Sequence, residues 1–337
     1  MALQSIGDLA QGFVLRKQGT ELTRQMDRLT KEVSTGRTTD IPKAVSGSLL
    51  PLADIERALS LAEVQQDTAS VAAFDSSVMQ TALSRFHDAA GSLATSTLLT
   101  AGTGGAADLG LLAQEAADTL SEMVGALNST AGGRALFGGN GGDGVDGATL
   151  VEDEILPKLR PILLAATNAA DIKGKLNTFF SEGGDFDTNV YQGGPGEASP
   201  YALGAGEAVT LRIRGDDAAL RHQFKQVAML SLVDDPGLAL SDGKRATLAQ
   251  EAGTALLSGQ DGLTRLQAQL GFAEERIAQA QSRIGTEITS LGIARNDLVS
   301  VDVAESATAL EQVQSQLELL YTVTARTSRL NLANFLS

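Results

Sequence analysis

The chain has 337 residues, of which 43% are hydrophobic and 4% aromatic, with no Cys and no Trp. A net charge of −15 excludes a protein built to neutralise nucleic-acid phosphates, and the lack of Cys excludes disulfides, thiolate metal sites and thiol nucleophiles. The core has to be aliphatic, which suits long packed helices.

Met1 to Gly12 shows neither a basic start nor an apolar block, so no cleavable signal peptide is expected. No apolar run of about 18 residues predicts a membrane span, and no membrane insertion is expected. Leu15, Leu22 and Leu29 recur every seven residues, with Met26 and Val33 on the same side. This spacing predicts a helix that ends in the glycine turn Ser34-Thr35-Gly36-Arg37. Ile6, Leu9 and Phe13 carry its apolar face towards the N-terminus.

Asp40-Ile41-Pro42 and Leu50-Pro51 bracket a linker. A long helix is predicted from Pro51 to about Leu98, with Leu52, Leu59, Met79, Leu83, Phe86 and Leu93 facing the core. Another is predicted over Ala107 to Thr130. The middle of the chain differs. Gly138 to Gly147 is glycine-rich, and Gly138 to Asp217 holds 13 acids and 6 bases, against 5 and 6 in the first 40 residues. The middle therefore reads as a solvated surface and the ends as contact surfaces. Val209 to Arg214 alternates apolar and polar residues and predicts a strand, and Asp187 to Gln192 predicts a second. Ala218 to Val233 predicts a helix.

The strongest pattern follows. Leu263, Leu270, Ile277, Ile284, Leu291 and Leu298 keep an unbroken seven-residue spacing, with Leu266, Ala273, Ala280 and Ala294 in the second row and Glu287 departing from it. That is a sustained heptad. Asp302 is placed to cap a last helix, in which Val303, Leu310, Leu317 and Thr324 are spaced by seven, with Val313 and Leu320 between. Its end carries Leu330, Leu332, Phe335 and Leu336, four large apolar side chains in eight residues. Chain ends are usually polar and frayed. Burying each of these side chains contributes about 1.5–3 kcal/mol, so the terminal helices are expected to become ordered by packing on other subunits.

The predicted fold is mainly α. Long N- and C-terminal helices pack as a coiled-coil bundle, and a small α+β domain is inserted in the middle. The expected domains are 1–40 with 300–337 (terminal coiled coil), 41–135 with 240–299 (helical bundle) and 136–239 (solvent-facing insertion). The expected subunit-interface residues are Ile6, Leu9, Phe13, Leu22, Leu29, Leu310, Leu317, Leu320, Leu330, Leu332, Phe335 and Leu336.

Catalytic and metal signatures do not emerge. His87 and His222 belong to no metal-binding spacing. Gly141 to Asp146 fits one copy of the Gly-Gly-x-Gly-x-Asp calcium repeat, but a single copy lacks the neighbour that completes such a site. Asp216-Asp217 and Asp234-Asp235 read as helix-start and turn carboxylates. No cofactor, metal or catalytic residue is expected, and the chain is expected not to be an enzyme.

Glu287 to Leu336 reads EITSLGIARNDLVSVDVAESATALEQVQSQLELLYTVTARTSRLNLANFL. With its acid-Ala-Thr-x-Leu run, Gln-rich helix and closing Leu-x-x-Phe-Leu, it resembles the end of the flagellin superfamily. LTRQMDRLTKEVSTGR, residues 22–37, resembles that superfamily's first helix and turn. The resemblance covers roughly the first 135 and the last 90 residues. Gly133-Arg134-Ala135-Leu136-Phe137-Gly138-Gly139, Phe186 to Gly194 and Arg214 to Arg221 are similar to segments of its hook-associated, hook–filament junction branch. Arg85-Phe86-His87-Asp88 departs from the stretch of many flagellins that an innate immune receptor reads.

The resemblance implies an extracellular structural subunit of the bacterial flagellum, exported without a cleaved signal peptide by the type III route. The implied partners are an export chaperone, copies of itself and neighbouring axial proteins (another hook-associated protein and flagellin). Filament-forming flagellin stays open as the alternative. A secreted calcium-dependent adhesin and a cytosolic coiled-coil scaffold are remoter.

Overall fold

The structure is a computed structural model that describes residues 2–44, 48–103, 106–141, 149–238 and 240–336. The fold is mainly α, with long helices at both ends and two small two-stranded sheets in the middle. The chain divides into two compact units, residues 1–63 with 286–337 and residues 64–285.

The first unit holds α1 (Ala2–Thr35), the short α2 (Ile41–Ala44), the start of α3 (Leu50–Thr103), the end of α8 (Asp242–Val299) and α9 (Val303–Leu336). Helices α1 and α9 pair along their lengths. The heptad residues make the seam: Leu29, Val313 and Leu317 are buried, and Leu22, Met26, Ala309 and Leu310 pack against them. Helix α1 stops where the sequence places the glycine turn. Gly36 has φ of +65°, a left-handed conformation that glycine adopts without a Cβ penalty, and its N–H donates to the Glu32 carbonyl at 2.8 Å. The turn then binds the one before α9: Thr38 N–H donates to Val299 O at 2.8 Å, and Val301 N–H to Gly36 O at 3.1 Å. Buried Glu32 accepts from both Thr39 N–H (3.1 Å) and Thr39 Oγ1 (3.0 Å). Asp302 caps α9, accepting from Ala304 N–H at 2.8 Å and Glu305 N–H at 3.2 Å. Charged and cap carboxylates thus find partners where the backbone leaves helix donors free.

The second unit holds the rest of α3, α4 (Ala106–Leu127), the hairpin β1 (Thr130–Ala131) and β2 (Arg134–Ala135), α5 (Leu156–Leu164) and α6 (Ala169–Phe179). A hairpin of β3 (Tyr201–Gly204) and β4 (Glu207–Val209), then α7 (Ala218–Ser231) and the long first part of α8, complete it. Both sheets are antiparallel. Leu263, Leu270, Ile277 and Ile284 of the heptad are buried on α8, and Met79, Leu83, Phe86 and Leu93 are buried on α3, which runs beside it: Ser76 Oγ donates to Glu274 Oε1 at 3.1 Å and Gln267 Nε2 to Ser84 Oγ at 3.4 Å. Gly259 permits the approach of α7: a Cβ there would lie 2.7 Å from Gln223 Nε2. The few aromatics are concentrated here. Phe86 meets Phe224 edge-on at 5.2 Å, and Phe224, Phe186, Phe180 and Phe179 continue the stack at 5.0–5.6 Å.

Two strand expectations differ from the structure. Phe186–Val190 forms a π-helical turn in place of a strand over 187–192, and only Tyr191 makes a bridge, to Leu150. The turn puts Phe186 and Val190, four residues apart, into the core together. Of the strand expected over 209–214, only Val209 belongs to a ladder. Leu211 and Ile213 are buried and Arg212 is exposed, so the two-residue alternation is real but unpaired.

Candidate functional site

The surface that burial leaves unexplained lies on the α1–α9 pair. Seams of this kind bury one stripe of each helix and leave the opposite faces to water. Here those faces, otherwise polar, also carry large apolar side chains: Phe13 is 63% exposed, Leu319 65% and Tyr321 64%, with Val14 and Val323 also exposed. Two grooves flank the Leu15–Leu320 seam. One, about 520 Å³, is lined by Glu21, Leu22, Leu319 and Val323. The other, about 440 Å³, is lined by Gly19, Thr23, Arg24 and Tyr321. Both include Leu15 and Leu320. Large apolar groups held wet on a two-helix unit are what a packing surface for further helices requires.

The structure divides the expected interface set. Leu29 and Leu317 are buried between α1 and α9 and serve the intramolecular seam. Leu22, Leu310 and Leu320 are half-buried at its margin, and Phe13 is exposed. Ile6, Leu9, Leu330, Leu332, Phe335 and Leu336 lie on α1 and α9, with side chains outside the described residues. Sequence reasoning passed over Leu319, Tyr321 and Val323. Leu319-Leu320-Tyr321 held the signal, because consecutive residues on a helix point about 100° apart and cannot all face one neighbour.

Several charged or titratable groups elsewhere have structural partners. Asp217 caps α7 through Ala219 N–H at 3.0 Å. Asp235 takes Arg160 at 2.6 Å, which holds its carboxyl below the usual range. His222 Nε2 lies 3.2 Å from Ala255 O. No group of three His, Asp or Glu side chains among the described residues could hold a metal ion. The calcium-like motif falls mainly on 142–146, outside the described residues. No helix among the described residues is long and apolar enough to cross a membrane.

Residues 246–336 match the family model of the bacterial flagellin C-terminal helical region. No curated protein matches the chain. A solved structure assigned as a flagellar hook-associated protein from Vibrio parahaemolyticus is similar in fold, with a TM-score of 0.52 at 12% identity, over 74% of this chain and 100% of that one. The matched region comprises nearly all of α8 and α9, the helices that carry the heptads and the exposed Leu319 and Tyr321. Residues 246–336 are thus similar to the C-terminal helical region of bacterial flagellins, and they sit on a fold similar to that of a hook-associated protein.

Proposed function

We propose that the chain is an axial structural subunit of the bacterial flagellum, extracellular, placed at the junction between hook and filament. The observation that carries the assembly role is the set of wet apolar side chains on the terminal pair, Phe13, Leu319, Tyr321 and Val323, on either side of a buried seam. Helices of neighbouring subunits fill the two grooves, and the expected interface residues at the chain ends take part. The protein works by mechanical coupling through helix packing and catalyses no reaction. Its partners are copies of itself, the adjoining hook-associated protein and flagellin, with a chaperone during export.

The junction placement rests on the segment Gly133–Gly139 and on the fold shared with a hook-associated protein. Arg134 of that segment is anchored to Asp75, and Phe137 is fully buried. Electron microscopy of flagella from a deletion strain tests the placement. Intact hooks without filaments, with flagellin monomer released into the medium, are the expected result. Normal filaments would refute it.

Filament-forming flagellin is the second reading, favoured by the match of residues 246–336 to the flagellin C-terminal region. The two separate in a purified sample: a filament protein polymerises alone into long filaments, and a junction protein does not.

A further inference from the structure

A groove of about 410 Å³ lies in the unit 64–285, between the segment after β4 and helix α8. Six consecutive residues, 208–213, line one wall; Leu270, Phe272, Ala273 and Arg276 line much of the other. Side chains of an extended segment point alternately to opposite faces. A run whose every residue borders one groove therefore turns its main-chain edge towards it. The backbone groups of Leu211, Arg212 and Ile213 bond to no described residue. Buried main-chain donors and acceptors are almost always paired, so an unpaired run beside a groove is an open strand edge.

The groove's chemistry narrows what fits. The edge accepts an extended chain, because only that presents donors and acceptors at matching intervals. Phe272, 69% exposed, gives the opposite wall an apolar contact. The charge is the reverse of the whole molecule's. Arg212 pairs with Glu197 at 3.3 Å, while Arg276 and Arg283 share the single carboxylate of Glu207 at 3.3 and 3.2 Å. Three guanidiniums thus face two carboxylates in a chain of net charge −15.

We propose that this groove binds an extended, acidic segment of a partner protein, which adds as a strand to the edge Leu211–Ile213 and lies between it and α8. The segment's apolar side chains contact Phe272 and Ala273, and a carboxylate takes up the unshared positive charge beside Arg276. This inference does not depend on the flagellar placement, since it concerns neither α1 nor α9.

The test uses the full chain and a fluorescein-labelled hexapeptide in which glutamate and valine alternate, read by fluorescence anisotropy. Saturable binding is expected, weakened at least about tenfold by Ala273→Trp, which fills the groove. Arg276→Glu should weaken it too. A peptide N-methylated at alternate residues should not bind, because it cannot donate to the edge; this control leaves the protein unaltered. Absence of saturable binding, or equal binding of the N-methylated peptide, overturns the proposal. So does self-association of the chain that Ala273→Trp abolishes, because the occupant is then a second copy.

Discussion

Arg134 Nη2 lies 2.5 Å from Asp75 Oδ2 across 59 residues of sequence, tying β2 to α3. Only 4% of the Asp75 side chain is exposed, and the Tyr201 hydroxyl donates to the same carboxylate oxygen. The guanidinium also sits 5.5 Å from the centre of the Tyr201 ring. Three separate stretches of the unit 64–285 thus meet at one buried charge.

Arg134→Ala leaves that carboxylate buried without its countercharge. A loss of about 3 kcal/mol in unfolding free energy is expected, measured by urea denaturation. Arg134→Lys should recover only part of it, because a point charge cannot reproduce the guanidinium's planar contacts.

Tyr201 gives the same cluster a pH signature. Burial, and then the hydrogen bond to Asp75, raise its hydroxyl from 10.0 to about 12. The folded state holds this proton more tightly than the unfolded chain does. The resulting stability is complete below pH 10 and is lost as pH rises towards 12. In Tyr201→Phe the decline of the melting temperature across that window should be shallower than in the wild type.

The β3–β4 turn carries a local cost. Ala205 has φ of +52° and is followed by Gly206 at +76°. Asparagine tolerates the left-handed region better than alanine. Ala205→Asn should therefore stabilise the unit by about 0.5–1 kcal/mol, with no change in the circular dichroism spectrum. Calorimetry reads the gain.

The terminal pair allows packing within the chain to be separated from packing between chains. Leu317→Ala cuts into the buried seam and should cost about 2 kcal/mol, seen as faster hydrogen exchange in α1 and α9. Tyr321→Ser and Leu319→Ser alter groups already in water and should leave exchange unchanged while abolishing assembly. Assembly that survives both serine substitutions would mean that these two grooves are not the contact.

Removing Leu330 to Ser337 is expected to prevent assembly and to spare most of the monomer's helicity by circular dichroism. Assembly by the shortened chain would contradict the role given to the C-terminal apolar residues.

The helices were legible because their signal is local and periodic: Leu263 to Ile284 are buried as their heptad spacing requires. Gly36 and Asp302 were legible for the same reason, since caps and turns depend on near neighbours. The π-helical turn at Phe186–Val190 was not, because its burial is decided by Phe180 and Phe224, both remote from any two-residue pattern. The end of the ladder at Val209 was equally hidden: alternation reports which side is buried and says nothing of whether a partner strand exists. At the terminal pair, the heptad identified residues that pack but not their partners. Leu29 and Leu317 meet each other's helix, and Leu319 and Tyr321 remain exposed.

The clasp between the turn at Gly36 and the turn before α9 sets an order in time. Arg37 Nη2 reaches Asn296 Oδ1 at 3.4 Å across 259 residues. A ribosome delivers α1 well before its mate α9, so α1 has no partner while the residues between them are made. Closing so long a loop is entropically unfavourable in a loose chain and far less so once the intervening residues have condensed. The central unit should therefore mature first and the two ends join last. Until then α1 is a single amphipathic helix in search of a partner, and any factor that keeps the molecule from assembling early needs to cover only that helix or its late-arriving mate.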